Sequence, residues 1–244
     1  MNITQTVSNR ISRMKPGKLF SYHDLPEYSE HSVAVIKAIS RIAKESGIVK
    51  VKKGLYYKAE QGSFGPMTPK ESDVIRYFTS EKSKTVGYVT GPALYHRWGL
   101  STQVPSEITV ATSTNRRINI RLSGLRVTTV PARGKVTKDT APLFQFLDAL
   151  KDFDRIPDAE SEVVIDKLGT RLSAYTRDEI EKIEKIAIRS YTPKTKALLG
   201  FLLSTFVDYN SLDLHKSLNP TTTFKVSISN TLKKNTEYWC LKSA

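Results

Sequence analysis

The sequence has very little cysteine, since Cys240 is the single thiol among 244 residues. One thiol cannot form a disulfide within the chain, and it cannot supply the several thiolates of a structural zinc site. The sequence therefore predicts neither a disulfide framework nor a cysteine-rich metal centre, and Cys240 is interpreted as a packed or unused thiol.

Long apolar runs are also missing. No segment approaches the roughly 18 apolar residues that a membrane-spanning helix needs. The first residues, MNITQTVSNRISRM, lack the apolar core of a secretory signal. Together with a content of 39% hydrophobic and 25% charged residues, these absences predict a cytoplasmic globular protein with no membrane partner.

The motifs of the common enzyme classes are absent as well. The sequence contains no Walker loop, no G-x-G-x-x-G and no G-x-S-x-G. The histidines are scattered, without carboxylates at metal-ligand spacing: His23, His31, His96 and His215. The sequence therefore favours a protein that is not an enzyme and that needs no cofactor or metal.

One fragment is enzyme-like. Gly62-Ser63, followed by Glu71 and Asp73, resembles the paired-carboxylate pattern of nucleotidyltransferases, which hold two metal ions on adjacent acidic side chains. Glu71 and Asp73 fall in the expected first turn of a helix, where the helix dipole favours acidic residues for structural reasons. A metal-dependent nucleotidyltransferase or nuclease that uses these two residues is therefore the alternative function.

Acidic residues are scarce relative to basic ones, because 24 Asp and Glu against 38 Lys and Arg give a net charge of +14. The excess is uneven. Residues 1–65 carry 11 basic and 5 acidic side chains, residues 66–135 carry 11 and 4, and residues 136–244 carry 16 and 15. A surface that binds a polyanion is therefore expected in the first two of these segments.

The N-terminal segment predicts a helix, a short helix, an amphipathic helix and a hairpin, in that order. Apolar residues recur at helical spacing over residues 3–14, and a short helix is expected over residues 23–27. A longer helix follows over residues 32–46, and two β-branched and aromatic runs then flank the turn Lys52-Lys53-Gly54. This order is typical of a winged helix-turn-helix, in which the third helix enters the major groove of DNA.

The helix expected over residues 32–46 has two different faces. One arc is apolar and is expected to be buried: Val35, Ile36, Ala38, Ile39, Ile42 and Ala43. The other arc carries polar and basic side chains at helical spacing: Lys37, Ser40, Arg41 and Lys44. We expect this second arc to face DNA bases and phosphates, and Lys52 and Lys53 to face phosphates. A solvated helix face and a turn that keeps a hairpin edge from aggregating are the alternatives for the same residues.

A domain boundary is predicted near residue 66. Residues 59–69 are rich in Gly, Pro and small polar side chains and predict a linker. Directly after it, Thr68 to Glu71 is predicted to form a capping box that opens a helix.

The rest of the chain predicts strands first and helices afterwards. The predicted fold class is α+β, with a winged helix-turn-helix DNA-binding domain over residues 1–66 and a larger domain over residues 67–244. Within the larger domain, residues 67–138 form the predicted α+β part. Residues 139–244 form a mainly helical part, which closes with a strand in TTTFKVSIS.

Arginines are concentrated in the predicted strands of the middle region. Strand alternation would bring several of them to one sheet face. Together they define a candidate second basic surface: Arg117, Arg121, Arg126 and Arg133. This surface would suit more DNA backbone, RNA or an acidic protein, and a plainly solvated sheet face fits the same pattern.

Several segments, in the same order along almost the whole chain, resemble the AbiEi-like antitoxins, which are transcriptional regulators of type IV toxin–antitoxin systems linked to phage abortive infection. These segments are ISRMKPGKLFSYHDL, AVIKAISRIAKESGIVKVKKGLYY, GYVTGPALYHRWGLSTQVPSEITVAT, PLFQFLDALKD, YTPKTKALLGFLL and TTFKVSISNTLKKNTEYWCL.

The resemblance implies an autorepressor that binds inverted repeats in its own double-stranded promoter DNA through an N-terminal winged helix-turn-helix. It also implies an antitoxin that antagonises a nucleotidyltransferase-like toxin without forming a stable complex. The basic reading helix of the family falls on Lys37, Ser40, Arg41 and Lys44, and its wing falls on Lys50, Lys52 and Lys53. A further alternative is a protein-binding module without DNA specificity.

Overall fold

A computed structural model describes residues 2–45, 47–63, 65–113, 117–122, 124–209, 211–227 and 235–243. The fold is mixed α+β, as the sequence predicts, with helices at the N-terminus, a central sheet and a helical C-terminal part. No helix in the described ranges has both the length and the apolar character that crossing a bilayer requires.

The N-terminal elements follow the predicted order. Two single turns of 3₁₀-helix, Tyr22–Asp24 and Pro26–Tyr28, stand where one short helix was predicted. The regular elements are helix α1 (Ile3–Ser12), strand β1 (Leu19–Ser21), helix α2 (Ser32–Lys44) and strands β2 (Val49–Lys52) and β3 (Leu55–Tyr57). The predicted hairpin is confirmed, because β2 and β3 pair in antiparallel fashion around Lys53-Gly54.

Strands β1, β3 and β2 form an antiparallel sheet in that order, and its two faces contact two different cores. One face supplies Phe20 and Tyr56 to the N-terminal core, which we define by its fully buried members. These are Val7, Ile11, Phe20, Leu25, Val35, Ala38, Ile39, Ile42, Ile48 and Tyr56. The other face supplies Leu19, Leu55 and Tyr57 to the large core of the rest of the chain. The hairpin is therefore held from both sides.

The predicted linker contains regular structure. Strands β4 (Glu60–Gly62) and β5 (Gly65–Met67) pair in antiparallel fashion within it. The predicted capping box at Thr68 and Glu71 is wrong. Helix α3 (Glu71–Thr79) begins after Lys70, which makes no side-chain cap.

A four-stranded sheet forms the centre of the molecule. The elements of this region are short strands β6 (Ser80–Glu81) and β7 (Lys84–Thr85), strand β8 (Gly87–Thr90), helix α4 (Pro92–Arg97) and strands β9 (Glu107–Thr112), β10 (Asn119–Leu122) and β11 (Leu125–Pro131). The order of the four-stranded sheet is β10-β11-β9-β8, with a parallel pair between β11 and β9 and antiparallel pairs on either side. Helices α3 and α4 pack on β8 and β9, and helix α5 (Ala141–Lys151) also packs on β8.

The C-terminal part is helical, as predicted. The capping box at Thr176 and Glu179 is confirmed, and Thr192 caps the helix that Pro193 begins. Its elements are α6 (Ser161–Ser173), which the sequence did not predict, α7 (Arg177–Ser190), α8 (Pro193–Leu202), a π-helical turn (Leu203–Val207) and α9 (Leu212–Lys216).

The chain returns to this part at its C-terminus. The predicted strand β12 (Phe224–Val226) pairs in parallel with β13 (Leu241–Ser243), and Ile228, the last apolar residue of the predicted strand, lies outside the described residues. Trp239 is fully buried, and its ring lies against Gly200 of α8. Its Nε1 donates a hydrogen bond to Oγ of Ser204 at 3.0 Å.

Candidate nucleic-acid interface

Helix α2 is fixed in place by its apolar face. The buried side chains recur at three- and four-residue intervals and enter the N-terminal core: Val35, Ala38, Ile39 and Ile42. They pack against α1, whose Val7 and Ile11 belong to the same core. Because one face of α2 is fixed, the orientation of the opposite face is also fixed.

The opposite face of α2 carries the predicted polar set. Lys37, Ser40, Arg41 and Lys44 are all exposed, so the structure brings these four side chains to one side of the helix. Within the described ranges, neither Lys37 nor Lys44 has an ion pair.

Two aliphatic side chains share this face. Val33 is 65% exposed and Ile36 is 37% exposed, so the predicted burial of Ile36 with the apolar arc is wrong. Val33 and Ile36 are three residues apart. Lys37 lies four residues after Val33 and Ser40 lies four residues after Ile36, so all four side chains lie on one stripe of the helix. We use the term exposed face of α2 for Val33, Ile36, Lys37, Ser40, Arg41 and Lys44.

Arg41 has a partner on its own helix. Its Nε lies 3.0 Å from Oε1 of Glu45, one turn further on, and the two side chains are 73% and 62% exposed. An exposed pair of this kind contributes only about 0 to 1 kcal/mol. A phosphate or a base edge can therefore replace Glu45 at a small cost.

The lysines of the hairpin lie on different sides. A bulge follows Lys50, so Lys50 lies opposite Tyr56 while Lys52 lies opposite Leu55. Tyr56 faces the N-terminal core and Leu55 faces the large core, so Lys50 lies on the side of the sheet that faces the helices and Lys52 on the other side. Lys50 and Lys53 are exposed, whereas Lys52 is half-buried.

Aromatic residues fix the hairpin relative to the helices. The hydroxyl oxygens of Tyr22 and Tyr56 are 2.8 Å apart, and the ring of Tyr22 stacks on Tyr28. The Tyr22 ring also lies against Gly54, whose φ of +82° is the backbone conformation that the turn needs and that glycine adopts without strain. Burial, followed by the hydrogen bond with Tyr22, raises the pKa of Tyr56, so its hydroxyl remains protonated at neutral pH.

An ion pair joins α1 to the 3₁₀ turn that precedes α2. Nε and Nη2 of Arg10 donate to Oε1 of Glu27 at 3.0 and 2.8 Å. These hydrogen bonds hold the pKa of Glu27 below its ordinary value. Lys58 has a structural role as well, because its Nζ donates to the carbonyls of Ser12 and Met14 at the end of α1.

Two of the predicted arginines meet on the central sheet. Arg121 and Arg126 are directly opposite each other on β10 and β11, and both are exposed. Glu107 is opposite Arg126 on β9, and its Oε2 lies 3.8 Å from Nη1 of Arg126. Arg117 is exposed just before β10. Strand β10 lies beside β2, so these arginines are near the edge of the hairpin sheet.

Arg133 lies elsewhere. Its Nη1 donates to the carbonyl of Ser190 at 3.3 Å, and its guanidinium lies 5.0 Å from the ring centre of Tyr191. Its Nε is also 3.8 Å from Oδ1 of the buried Asp148. Arg133 therefore joins the central region to the helical part and is separate from the other three arginines.

Asp148 is the centre of a buried polar cluster that the sequence did not predict. It accepts hydrogen bonds from the hydroxyls of Tyr88 at 3.1 Å, Thr90 at 2.9 Å and Tyr191 at 2.8 Å. Burial, and next the negative charge of Asp148, raise the pKa of Tyr88 and of Tyr191, so both hydroxyls remain donors at neutral pH. The carboxylate is paired through both oxygens, which fits a role in joining α5 and β8 to Tyr191 at the end of α7.

The alternative catalytic pair lies in the first turn of α3. Glu71 is exposed, and Asp73 forms an ion pair with Arg76. Among the described residues, no three His, Cys, Asp or Glu side chains come together in a group that would hold a metal ion.

Three features indicate a candidate nucleic-acid interface: an apolar helix face buried in a core, an exposed basic face opposite, and a hairpin with exposed lysines. The chain belongs to the family described as DUF6088, a family of unknown function, whose model matches residues 6–168. The match covers most of α1, the elements from β1 to β3 and the central sheet, and thus all the candidate binding residues. No curated protein matches the chain.

Proposed function

We propose that the N-terminal part of the chain is a winged helix-turn-helix and that the protein is a DNA-binding autorepressor and the antitoxin of a type IV toxin–antitoxin system. The observation that carries the DNA-binding part is the exposed face of α2, where three cations lie opposite a buried apolar face. The element order and the sheet order β1-β3-β2 support the same proposal.

In this proposal α2 lies in the major groove, which is wide enough to admit a helix. Lys37, Ser40 and Arg41 contact base edges or adjacent phosphates, and Arg41 can present two parallel donors to a guanine. Lys44 and the exposed hairpin lysines Lys50 and Lys53 contact phosphates, which contribute affinity without sequence preference. Lys52, on the other side of the hairpin sheet, is not part of this contact.

The central arginines extend this contact. Arg121 and Arg126 are like charges directly opposite each other, an arrangement that destabilises a sheet unless an anion lies nearby. Glu107 lies near Arg126, and within the described residues Arg121 has no ion pair. We assign Arg117, Arg121 and Arg126 to the DNA backbone beside the hairpin, because β10 lies next to β2.

The antitoxin part of the proposal rests on the resemblance of the segments quoted above. It assigns promoter DNA with inverted repeats to the N-terminal part and neutralisation of a nucleotidyltransferase-like toxin, without a stable complex, to the C-terminal part. Co-expression with the product of the adjacent gene tests this assignment. Loss of that product's toxicity supports it, and unchanged toxicity contradicts it.

A titration of full-length variants on the DNA upstream of the protein's own gene tests the DNA-binding part. Lys50→Ala with Lys53→Ala should weaken binding to every sequence alike. It should also make the slope of log affinity against log salt less negative by about 1.8, since each lost phosphate contact contributes about 0.9. Arg41→Ala should in addition reduce the preference for the upstream DNA, by about 1 to 3 kcal/mol.

Lys185→Ala with Arg189→Ala is the matched control, because it removes two exposed cations from α7. This control should leave both affinity and salt slope unchanged. Equal binding by wild type and by both interface variants would contradict the proposal. If the control lost as much affinity as the hairpin variant, the affinity would depend on net charge alone and the interface assignment would be wrong.

A further inference from the structure

The exposed face of α2 contains two aliphatic side chains that the proposed phosphate and hydrogen-bond contacts do not use. Val33 and Ile36 lie in the N-terminal half of α2, on the same stripe as Lys37 and Ser40. We propose that Val33 and Ile36 read the 5-methyl groups of thymines in the major groove, and that they thereby determine which operator the protein selects. This inference rests on the proposed DNA binding and adds the base and the atoms that are recognised.

The charges around Val33 and Ile36 favour DNA over a second copy of the chain as the occupant of this face. Lys37 lies beside the apolar pair, and Arg41 and Lys44 follow on the same side of the helix. Two copies that met through this face would bring these cations against each other, which is unfavourable without intervening anions. Duplex DNA presents phosphates on both sides of a groove whose floor carries the base edges.

The position of the two side chains favours base contacts over backbone contacts. Helices of this type read bases mainly with residues near the N-terminus of the recognition helix. Val33 is the second residue of α2 and Ile36 the fifth, so both lie in its N-terminal half. Neither Val33 nor Ile36 has a side-chain donor or acceptor, so neither can hydrogen-bond to a phosphate or a base edge.

Thymine provides the complementary apolar group. Its 5-methyl group projects into the major groove, and contact with aliphatic side chains is the ordinary way in which proteins recognise it. Burying one methyl group against an aliphatic side chain corresponds to roughly a fourfold gain in affinity. Two such contacts in one half-site therefore predict a gain of roughly 15-fold.

Replacing thymine by uracil in the DNA tests the inference directly, because it removes the methyl group and leaves the hydrogen-bonding edges unchanged. The probe is the region upstream of the protein's own gene, prepared once with thymine and once with uracil throughout. Wild-type protein should bind the uracil duplex roughly 15-fold more weakly than the thymine duplex. Equal affinity for the two duplexes would overturn the inference, while the proposed DNA binding would still stand.

Protein variants connect the effect to the two side chains. Val33→Ala with Ile36→Ala should bind the thymine duplex more weakly and should discriminate less than twofold between the two duplexes. Val33→Thr keeps the branched shape of the side chain and replaces one methyl by a hydroxyl, so the protein should fold like wild type. It should lose part of the discrimination between the thymine and uracil duplexes. Val163→Ala with Leu212→Ala removes exposed aliphatics from α6 and α9 and should behave like wild type.

The possible results separate the inference from the proposal on which it rests. If wild type does not bind the thymine duplex at all, the proposed DNA binding is wrong and the inference fails with it. If the variant with both alanines keeps the full discrimination of wild type between thymine and uracil, the methyl groups are read elsewhere and the inference alone is wrong.

Discussion

Reversing the charge of Lys37 and Lys44 together should reduce affinity for the upstream DNA by roughly 100-fold or more at moderate salt. Both side chains are exposed on the outward face of α2, and within the described ranges neither has an ion pair whose loss would change stability. Lys37→Glu and Lys44→Glu place two anions where the proposal expects phosphates, so each attraction becomes a repulsion.

The measurement is a titration of labelled DNA with the full-length protein at several salt concentrations, accompanied by an unfolding curve for each variant. Lys185→Glu with Arg189→Glu on α7 makes the same change in net charge and should lower affinity far less. A Lys37→Glu, Lys44→Glu protein that folds like wild type and binds DNA with wild-type affinity would show that α2 does not lie against DNA.

Trp239→Ala should lower the free energy of unfolding by about 3 to 5 kcal/mol, the range for removal of a fully buried large aromatic side chain. Trp239 is 0% exposed, and its Nε1 hydrogen bond to Ser204 would be lost as well. The segment that carries Trp239 also provides β13, which pairs with β12, so the end of the chain would lose its anchor on α8. Denaturant unfolding of the full chain measures the effect.

A double-mutant cycle with Gly200 tests the contact itself. A Cβ at Gly200 would overlap the Trp239 ring, so Gly200→Ala should cost about 1 to 3 kcal/mol in wild type and much less once the ring has been removed. Tyr238→Ala, at a neighbouring residue that is 42% exposed, is the control and should cost under about 1 kcal/mol. Additive costs for Trp239→Ala and Gly200→Ala would contradict the packing described.

The N-terminal elements were predictable because their signals are local. Apolar spacing alone identifies the buried face of α2, and a glycine between two β-branched and aromatic runs identifies the hairpin. Ile36 was assigned to the wrong face because it lies at the edge of the apolar arc, where periodicity does not decide between burial and exposure. The predicted order of the N-terminal elements was correct, whereas the predicted burial of Ile36 was wrong.

The missed features depend on contacts between residues far apart in sequence. Asp148 receives donors from β8 and from Tyr191, and no local pattern near residue 148 indicates this cluster. Arg133 was grouped with the sheet arginines by composition, whereas its contacts are with Ser190, Tyr191 and Asp148. The burial of Trp239 depends on the space that Gly200 leaves in α8.

The sheet β1-β3-β2 has a consequence for how the protein can be divided. Leu19, Leu55 and Tyr57 belong to the large core, although they lie within the predicted N-terminal domain. A fragment of residues 1–66 would expose these three apolar side chains. Binding experiments therefore need the full chain, in which both faces of the hairpin sheet are covered.

Footprinting of the wild-type chain on the DNA upstream of its own gene tests most directly whether the exposed face of α2 and the hairpin bind duplex DNA as a repressor. The account predicts a discrete protected site with inverted symmetry, which appears at protein concentrations that leave unrelated DNA unprotected. Protection that is absent, or that appears only at concentrations that protect unrelated DNA equally, would contradict it.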